Sequence, residues 1–271
     1  MLKTEMRNEH TMHIDKMTTA EMVAAMAREN YRAAQAVEEQ SQAIAQGIDM
    51  IAEAFNSGHR LFFIGCGTSG RLGVLDAVEC PPTFGADTSM VQGIIAGGQK
   101  RMFAASENEE DKDDKGRLDV EERGVSAGDV VVGVSVAGGA AYVVGGLQKA
   151  RELGASTIAL TCNEDSPIAA VSDLAIVTDT GAEVITGSTR LKAGTAHKMV
   201  MNMLTTCAMV KTGRVYENMM VNLKPYNIKL RQRVINIVCD ICHCDREKAV
   251  ELLDASGWDI RTAAEAYRAT L

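Results

Sequence analysis

Short apolar runs alternate with amphipathic stretches through the middle of the chain, from about residue 60 to about residue 215. Each run is almost free of polar residues, as is typical of strands that are buried on both faces of a sheet. Strands that alternate with helical stretches favour a parallel sheet covered on both sides. The pattern therefore predicts an α/β fold with five strands: Leu61–Ile64, Val91–Ala96, Val130–Val134, Thr157–Thr161 and Leu174–Val177.

Helical periodicity dominates both ends of the chain. Thr18 and Glu21 are spaced as a helix start, and a second helix is expected from about Ser41 to Asn56. The first helix has a predicted inward face of four residues: Met22, Ala25, Met26 and Ala33. After Pro225, three more helices are predicted: Ile228–Cys242, Asp245–Ala255 and Asp259–Arg268. We therefore divide the chain into an N-terminal helical hairpin (1–58), an α/β domain (59–222) and a C-terminal helical module (226–271).

A glycine-rich turn follows the first predicted strand directly. It contains three glycines and two hydroxyl residues: Gly65, Gly67, Thr68, Ser69 and Gly70. The apolar spacing beyond the turn predicts a helix, which Pro81 and Pro82 are expected to end. A strand, a glycine turn and a helix N-terminus together point backbone N–H groups at an anion, most often a phosphate. Such turns also occur in many α/β proteins that bind no ligand there, so the residues around the turn must show whether it binds an anion.

Ligands of parallel sheets bind outside the carboxyl ends of the strands. In this chain that rule brings four turns to one edge of the sheet: Gly65–Gly70, Gly97-Gly98, Ser135–Ala140 and Thr161–Asn163. The sequence therefore predicts a ligand site at this edge.

Composition narrows the classes of function. The chain has 271 residues and a net charge of -8, which argues against a general nucleic-acid or membrane surface. Local capture of a phosphate by backbone amides stays compatible with that charge. No apolar run approaches the ~20 residues of a membrane span, and the first ten residues lack the apolar stretch of a signal peptide. We expect a cytoplasmic protein that binds neither nucleic acid nor membranes.

The chain has 7 cysteines, an odd number that fits reduced thiols better than a disulfide framework. Cys239, Cys242 and His243 spell the haem-attachment pattern, and Cys244 adds a further potential metal ligand. Cys242 continues an apolar helical stripe, however, so buried thiols on a helix are the favoured interpretation. We predict no metal and no redox cofactor.

The stretch GCGTSGRLGVLDAVECPPTFG at Gly65–Gly85 resembles the sugar-isomerase (SIS) domain family. Within that family it is similar to the N-acetylmuramic acid 6-phosphate etherases, and the resemblance runs from about Thr4 to the C-terminus. It implies an SIS-type five-stranded parallel sheet and a C-terminal module shaped like a ubiquitin-associated domain. It also implies cleavage of a lactyl ether, which yields N-acetylglucosamine 6-phosphate and D-lactate.

The resemblance implies two catalytic carboxylates. Glu79 precedes the Cys-Pro-Pro-Thr of the signature, while Glu107, Glu110 and Asp111 match a Glu-x-x-Glu-Asp pattern of the family. In that pattern the Glu before Asp is the second carboxylate. A helix C-terminus and apolar neighbours would favour a protonated Glu79. We therefore assign Glu79 as proton donor and Glu110 as base, and we expect the other acids of this run, such as Glu109, to form a solvated face.

The resemblance also implies a substrate-binding set. Part of it lies in EVITGSTRLKAGTA at Glu183–Ala196, which the family carries almost unchanged and where Ser188 and Thr189 are also good helix N-caps. The full expected set is Gly67, Thr68, Ser69, Gly70, Arg71, Glu107, Ser135, Gly138, Ser188, Thr189, Arg190 and Lys192.

The chain departs from the family after the third strand. Family members carry a Ser-Gly-Arg-Thr-Pro-like turn there, whereas this chain has Ala137, Gly138, Gly139, Ala140 and Ala141. Losing two or three hydrogen bonds to a charged group would weaken binding by several kcal/mol, at roughly 1.5–3 kcal/mol each.

Two other functions stay open at this point. A sugar-phosphate-binding regulatory protein, like the related glucokinase regulatory protein, would tolerate the altered turn. An aldose–ketose isomerase would use similar proton abstraction without a leaving group. The Glu-Cys-Pro-Pro-Thr stretch at Glu79–Thr83 favours the etherase.

Helix geometry bears on the assembly. Gly70 and Glu79 are about 14 Å apart along an ideal helix. A sugar phosphate whose phosphate is held at the helix start is too short to reach Glu79 of the same chain. We therefore predict a homodimer in which Glu79 serves the site of the neighbouring copy.

Overall fold

Five parallel strands run side by side in the computed structural model, which describes residues 2–104, 108–222, 225 and 227–269. Their order across the sheet is β2-β1-β3-β4-β5. The strands are β1 (Leu61–Gly65), β2 (Val91–Ile95), β3 (Val130–Val134), β4 (Ser156–Thr161) and β5 (Leu174–Val177). Gly65 pairs with Ile95 on one side and Val134 on the other, so β2, β1 and β3 end level with one another.

The chain forms two compact units, of which the first comprises residues 1–77 and 89–208 and the second residues 78–88 and 209–271. The sheet lies in the first unit. Among the described residues, seven α-helices belong to it wholly or in part: α1 (Thr19–Glu38), α2 (Ser41–Asn56), α3 (Gly67–Phe84), α4 (Asp113–Glu122), α5 (Ala141–Glu152), α6 (Pro167–Ala170) and α7 (Lys192–Lys211). The predicted domain bounds at 58 and 222 stay a prediction.

The core of the first unit follows from the apolar strands. Every residue of β1 and β3 is buried, and Phe62, Ile64 and Val131 pack with Tyr142 and Leu147 of α5. Burial on both faces explains why these strands read as continuous apolar runs. The α/β prediction with five parallel strands is confirmed.

Two local predictions are wrong. The helix α3 does not stop at the double proline but continues to Phe84, and Gly85 follows it at φ +60°. Proline has a fixed φ that suits a helix, and beyond the double proline the Gly85 N–H donates to the Pro81 carbonyl at 2.9 Å, as in a regular helical turn. Met26, expected in the core, is 37% exposed, whereas Ala25 is buried.

In its described residues, the second unit contains a small antiparallel pair of strands and three further helices. The pair is β6 (Val215–Tyr216) with β7 (Met219–Met220), and the helices are α8 (Ile228–Cys242), α9 (Arg246–Ala255) and α10 (Ile260–Arg268). Each of these helices is capped by a short polar side chain that accepts a backbone N–H, and the caps are Asn227, Asp245 and Asp259. The predicted three-helix module is confirmed.

The cysteine stretch lies at the end of α8. Cys242 is buried in the core of the second unit, and His243 ends the helix with a left-handed φ of 50°. Within the described ranges, no group of three or more His, Cys, Asp or Glu side chains could hold a metal ion. No helix in the described part of the chain is both long and apolar enough to cross a membrane.

Candidate functional site

A cavity of about 560 Å³ opens where the sheet strands end, and every residue of its wall belongs to the first unit. The wall begins with residues that leave β1, β2 and β3 directly, namely Cys66, Ala96 and Ser135. Gly67, Thr68 and Ser69 continue it into the first turn of α3. The predicted ligand site at this edge of the sheet therefore coincides with a cavity.

The glycines of the turn bring the strand and the helix into close contact. A Cβ on Gly70 would stand 2.5 Å from the Gly65 carbonyl oxygen and 2.7 Å from Ile95 Cγ1. Gly67 has a φ of +51°, which favours glycine. These glycines therefore let α3 begin close to the end of β1, beside the cavity, where a helix N-terminus can favour an anion.

Arg71 lines the cavity, but its guanidinium is engaged with the backbone. It donates to the carbonyls of Arg101 (2.8 Å), Met102 (3.1 Å) and Ala104 (3.0 Å). The side chain predicted to bind substrate thus fixes the loop after β2 against α3. Arg71 therefore has a structural role in this loop, and its contact with substrate stays a prediction.

The altered turn after β3 is held firmly. The Ser135 hydroxyl accepts the Gly138 N–H at 3.1 Å, and the Asn163 amide donates to the Val136 carbonyl at 3.0 Å. Gly138 has a φ of +80°, and a Cβ there would stand 2.2 Å from Ser166 Cβ. Gly138 therefore shapes the turn, while Ser135 and Ala140 line the cavity.

Three consecutive acids, Glu109, Glu110 and Asp111, also line the cavity. The Glu110 side chain is exposed, and its carbonyl accepts the Tyr142 N–H at 2.9 Å, which ties this loop to the first turn of α5. Burial, followed by these three acids, raises the pKa of the Cys66 thiol to about 12. Cys66 therefore stays a neutral thiol near neutral pH.

The position of Glu109 differs from the prediction, which placed its side chain on a solvated face. Its carboxylate lies 3.1 Å from Lys112 Nζ and 4.0 Å from the Arg101 guanidinium, and it lines the cavity. Arg101 lines the cavity as well, and sequence reasoning missed it. Its place shortly after the Gly97-Gly98 turn, on the predicted edge, was the signal that could have identified it.

Gly194 and His197 of α7 supply a further wall, together with Thr189 of the turn that precedes this helix. His197 is fully buried, and its Nε2 lies 3.6 Å from Cys162 Sγ. Burial lowers the pKa of His197 to about 4, so its ring is neutral near pH 7. The sequence analysis did not single out His197, because a histidine on an apolar helix carries no distinctive local signal.

The start of α7 is capped in an unexpected way. The buried carboxylate of Glu183 accepts the N–H groups of Lys192 (3.3 Å) and Ala193 (2.9 Å). Burial raises the pKa of Glu183, although these N–H donors act in the opposite direction. The capping role predicted for Ser188 and Thr189 therefore falls to Glu183, which no local pattern marks as a cap.

Lys192 lies away from the cavity that holds the glycine turn. Its ammonium is buried against the Glu29 carboxylate, and it lines a separate cavity of about 960 Å³ beside the N-terminal segment. Of its predicted partners in binding, Ser188 is partly buried and Arg190 is exposed, and neither belongs to the wall of the first cavity. Of these four predicted binding residues, Thr189 alone lines the first cavity.

The remaining predicted residues are Glu79 and Glu107. Glu79 belongs to the second unit and has an exposed side chain within α3, so the apolar surroundings expected for it are wrong. Glu107 lies outside the described residues.

Comparisons with known proteins agree with this geometry. The SIS domain family matches residues 118–207, the N-terminal SIS domain of glucokinase regulatory protein matches residues 43–151, and a UBA-like domain matches residues 233–267. A solved structure of phosphoheptose isomerase GmhA from Neisseria gonorrhoeae has the same fold, with a TM-score of 0.53 over 70% of this chain and 98% of its own, at 21% identity. The parallel sheet with its glycine turn and cavity defines an SIS-domain protein.

Relatives of higher similarity identify the family. An N-acetylmuramic acid 6-phosphate etherase from Clostridium beijerinckii is 47% identical over 97% of this chain and 86% of its own length. The protein of the same name from Oenococcus oeni is 47% identical over 97% of this chain and 88% of its own. The chain belongs to the N-acetylmuramic acid 6-phosphate etherase family.

Proposed function

We propose that this protein is a carbon–oxygen lyase that cleaves the lactyl ether of N-acetylmuramic acid 6-phosphate. The observation that carries the proposal is the cavity at the end of the sheet, in a chain that shares 47% identity with etherases along nearly its whole length. The proposed products are N-acetylglucosamine 6-phosphate and D-lactate, and we infer a role in the breakdown and recycling of peptidoglycan sugars.

In our proposal the phosphate lies at the N-terminus of α3. Thr68 and Ser69 line the cavity there, and their hydroxyl groups can donate to the phosphate alongside the N–H groups of the helix. Ser135 and Thr189 line neighbouring walls, and they complete the predicted set on this side. The sugar then extends from the phosphate toward the acids at Glu109–Asp111.

Glu110 is the proposed base. Once the sugar ring opens, the proton on C2 lies next to an aldehyde and can be abstracted. The electron pair forms a C2–C3 double bond as the C3–oxygen bond breaks, and the leaving lactyl oxygen takes a proton from an acid. Water then adds its hydroxyl to C3 and a proton returns to C2. The exposed carboxylate of Glu110 lines the cavity and suits the abstraction.

Glu79 is the proposed acid, and we infer that it acts in a neighbouring copy of the chain. The helix α3 is unbroken from Gly67 to Phe84, so a rise of about 1.5 Å per residue applies between Gly70 and Glu79. This span supports a homodimer with shared sites. The dimer and a cytoplasmic location are predictions that rest on the sequence.

The deciding experiment incubates the protein with N-acetylmuramic acid 6-phosphate in ¹⁸O-labelled water and follows D-lactate by mass spectrometry. We expect lactate release with ¹⁸O at C3 of the product. Interconversion of aldose and ketose phosphates without lactate would identify an isomerase instead. A thermal shift with sugar phosphates, without any turnover, would identify a binding protein.

A further inference from the structure

The turn after β3 brings little side-chain chemistry to the phosphate. The family resemblance leads us to expect Ser, Arg and Thr in this turn, whereas this chain has Ala137, Gly139 and Ala140. Ala140 precedes α5 without a side-chain cap, and the Ser135 hydroxyl already accepts the Gly138 N–H. The turn from Ser135 to Ala141 contains no cationic side chain. A phosphate dianion therefore needs its side-chain cation from another element.

A cation on the neighbouring loop lines the same cavity. Arg101 lies in a short 3-10 helix, Gln99–Met102, which follows β2. Its Cγ would be 2.8 Å from a Cβ on Gly97, so the side chain packs directly over the glycine turn of this loop. Glu109 lies 4.0 Å from the guanidinium, and Lys112 holds Glu109 in turn at 3.1 Å. These contacts fix Arg101 at the wall of the cavity.

The strand order places this loop beside the phosphate end. Because β2 and β3 flank β1 and all three end level, the loop carrying Arg101 and the altered turn lie on opposite sides of the α3 N-terminus. A group bound at that N-terminus lies between them. The guanidinium has the planar N–H pairs that suit phosphate, and the acids at Glu109–Asp111 make a compensating cation more necessary.

We propose that Arg101 binds the phosphate of the substrate and substitutes for the arginine that this chain lacks at Gly139. This inference rests on the proposed function, which supplies the sugar phosphate. Gly139 is exposed, and a Cβ built there meets nothing within 4 Å, so the missing side chain can be restored for a test.

The test titrates the full-length protein with N-acetylglucosamine 6-phosphate in a calorimeter. Loss of a charged hydrogen bond should raise the Kd of Arg101→Gln by about tenfold to a hundredfold. Lys100→Gln makes the same change of charge on an exposed neighbour and should leave the Kd unchanged. Gly139→Arg, added to Arg101→Gln, should recover much of the lost affinity.

Three outcomes would overturn the inference. The first is an unchanged Kd in Arg101→Gln. The second is an equal loss of affinity for unphosphorylated N-acetylmuramic acid, which would assign Arg101 to the lactyl carboxylate. The third is a wild-type protein that binds no sugar phosphate, which would also remove the proposed function; in the first two outcomes the proposed function survives.

Discussion

Lys192 and Glu29 form an ion pair whose side chains are only 4% and 10% exposed. Glu29 also accepts a hydrogen bond from the Asn8 amide at 2.7 Å and lies 3.0 Å from His10 Nδ1. Burial acts to raise the pKa of Glu29, but the contacts with Lys192, His10 and Asn8 outweigh it and hold the pKa below its usual value. The pair therefore connects the N-terminal segment and α1 to the helix that bears His197.

Removal of the lysine tests whether this pair is structural. Lys192→Met leaves the Glu29 carboxylate buried without its cation, so the free energy of unfolding should fall by about 3–5 kcal/mol. Glu29→Gln combined with Lys192→Met should lose less than the sum of the single variants. Urea unfolding measures the free energy of unfolding of the two single variants and the double variant, with the exposed Lys115→Met as control. Full stability with weaker substrate binding would return Lys192 to the substrate-binding set.

The buried imidazole makes stability depend on pH. In the folded protein the pKa of His197 is about 4, while the unfolded chain takes up this proton near pH 6.5. The stabilising contribution is therefore complete above about pH 6.5 and declines as the pH falls toward 4. At pH 5 it should be smaller by about 2 kcal/mol than at pH 7.

Urea unfolding at pH 7 and pH 5 checks this dependence. His197→Gln removes the titrating group and should flatten the difference, whereas the exposed His13→Gln should keep it. An identical pH dependence in His197→Gln and the parent protein would show that another group is responsible.

The two proposed catalytic carboxylates can be separated by mixing subunits. Glu110→Gln and Glu79→Gln should each lower kcat by about 10²- to 10⁴-fold, with unfolding temperatures close to that of the parent because both side chains are exposed. Glu122→Gln, at the exposed end of α4, should retain full activity.

Subunit exchange between the two inactive variants should restore lactate release. If Glu79 acts in the partner's site, a mixed dimer contains one site with both carboxylates intact. Mixtures that stay inactive after proven exchange would place both carboxylates in one chain.

The close contact between α4 and α5 positions the loop of Glu110. A Cβ on Gly116 would stand 1.8 Å from the Tyr142 carbonyl oxygen. Gly116→Ala should therefore push the helices apart and destabilise the protein by about 1–3 kcal/mol. It should also lower kcat, because Tyr142 holds the Glu110 carbonyl. Gly139→Ala is the control for stability, because a Cβ at this position has no neighbour within 4 Å. Equal stability of Gly116→Ala and Gly139→Ala would contradict the predicted clash with Tyr142.

Local patterns were enough to predict most of the fold. The strands and the two N-terminal helices were found because their periodicity and caps lie within a few residues of one another, as with Thr18 and Glu21. The glycine turn was found for the same reason. The predicted stop at Pro81 was wrong because proline is compatible with the φ of a helix, and Gly85 was a better local marker of the end.

Features that depend on distant contacts were missed. The burial of Lys192 depends on Glu29 of another helix, and the cap of α7 comes from Glu183 rather than from the adjacent hydroxyl residues. Whether Glu109 faces solvent or the cavity is decided by the path of its loop past Gly97. None of these partners is near enough in sequence for periodicity to indicate it.

The place of β1 between β2 and β3 also affects how the protein folds. During synthesis β1 emerges early, yet it is complete only when Leu61 has paired with both Val91 and the much later Val130. Closure of that long loop is slow relative to local helix formation. The glycine turn that lines the cavity is thus synthesised well before one of the strands that complete its surroundings.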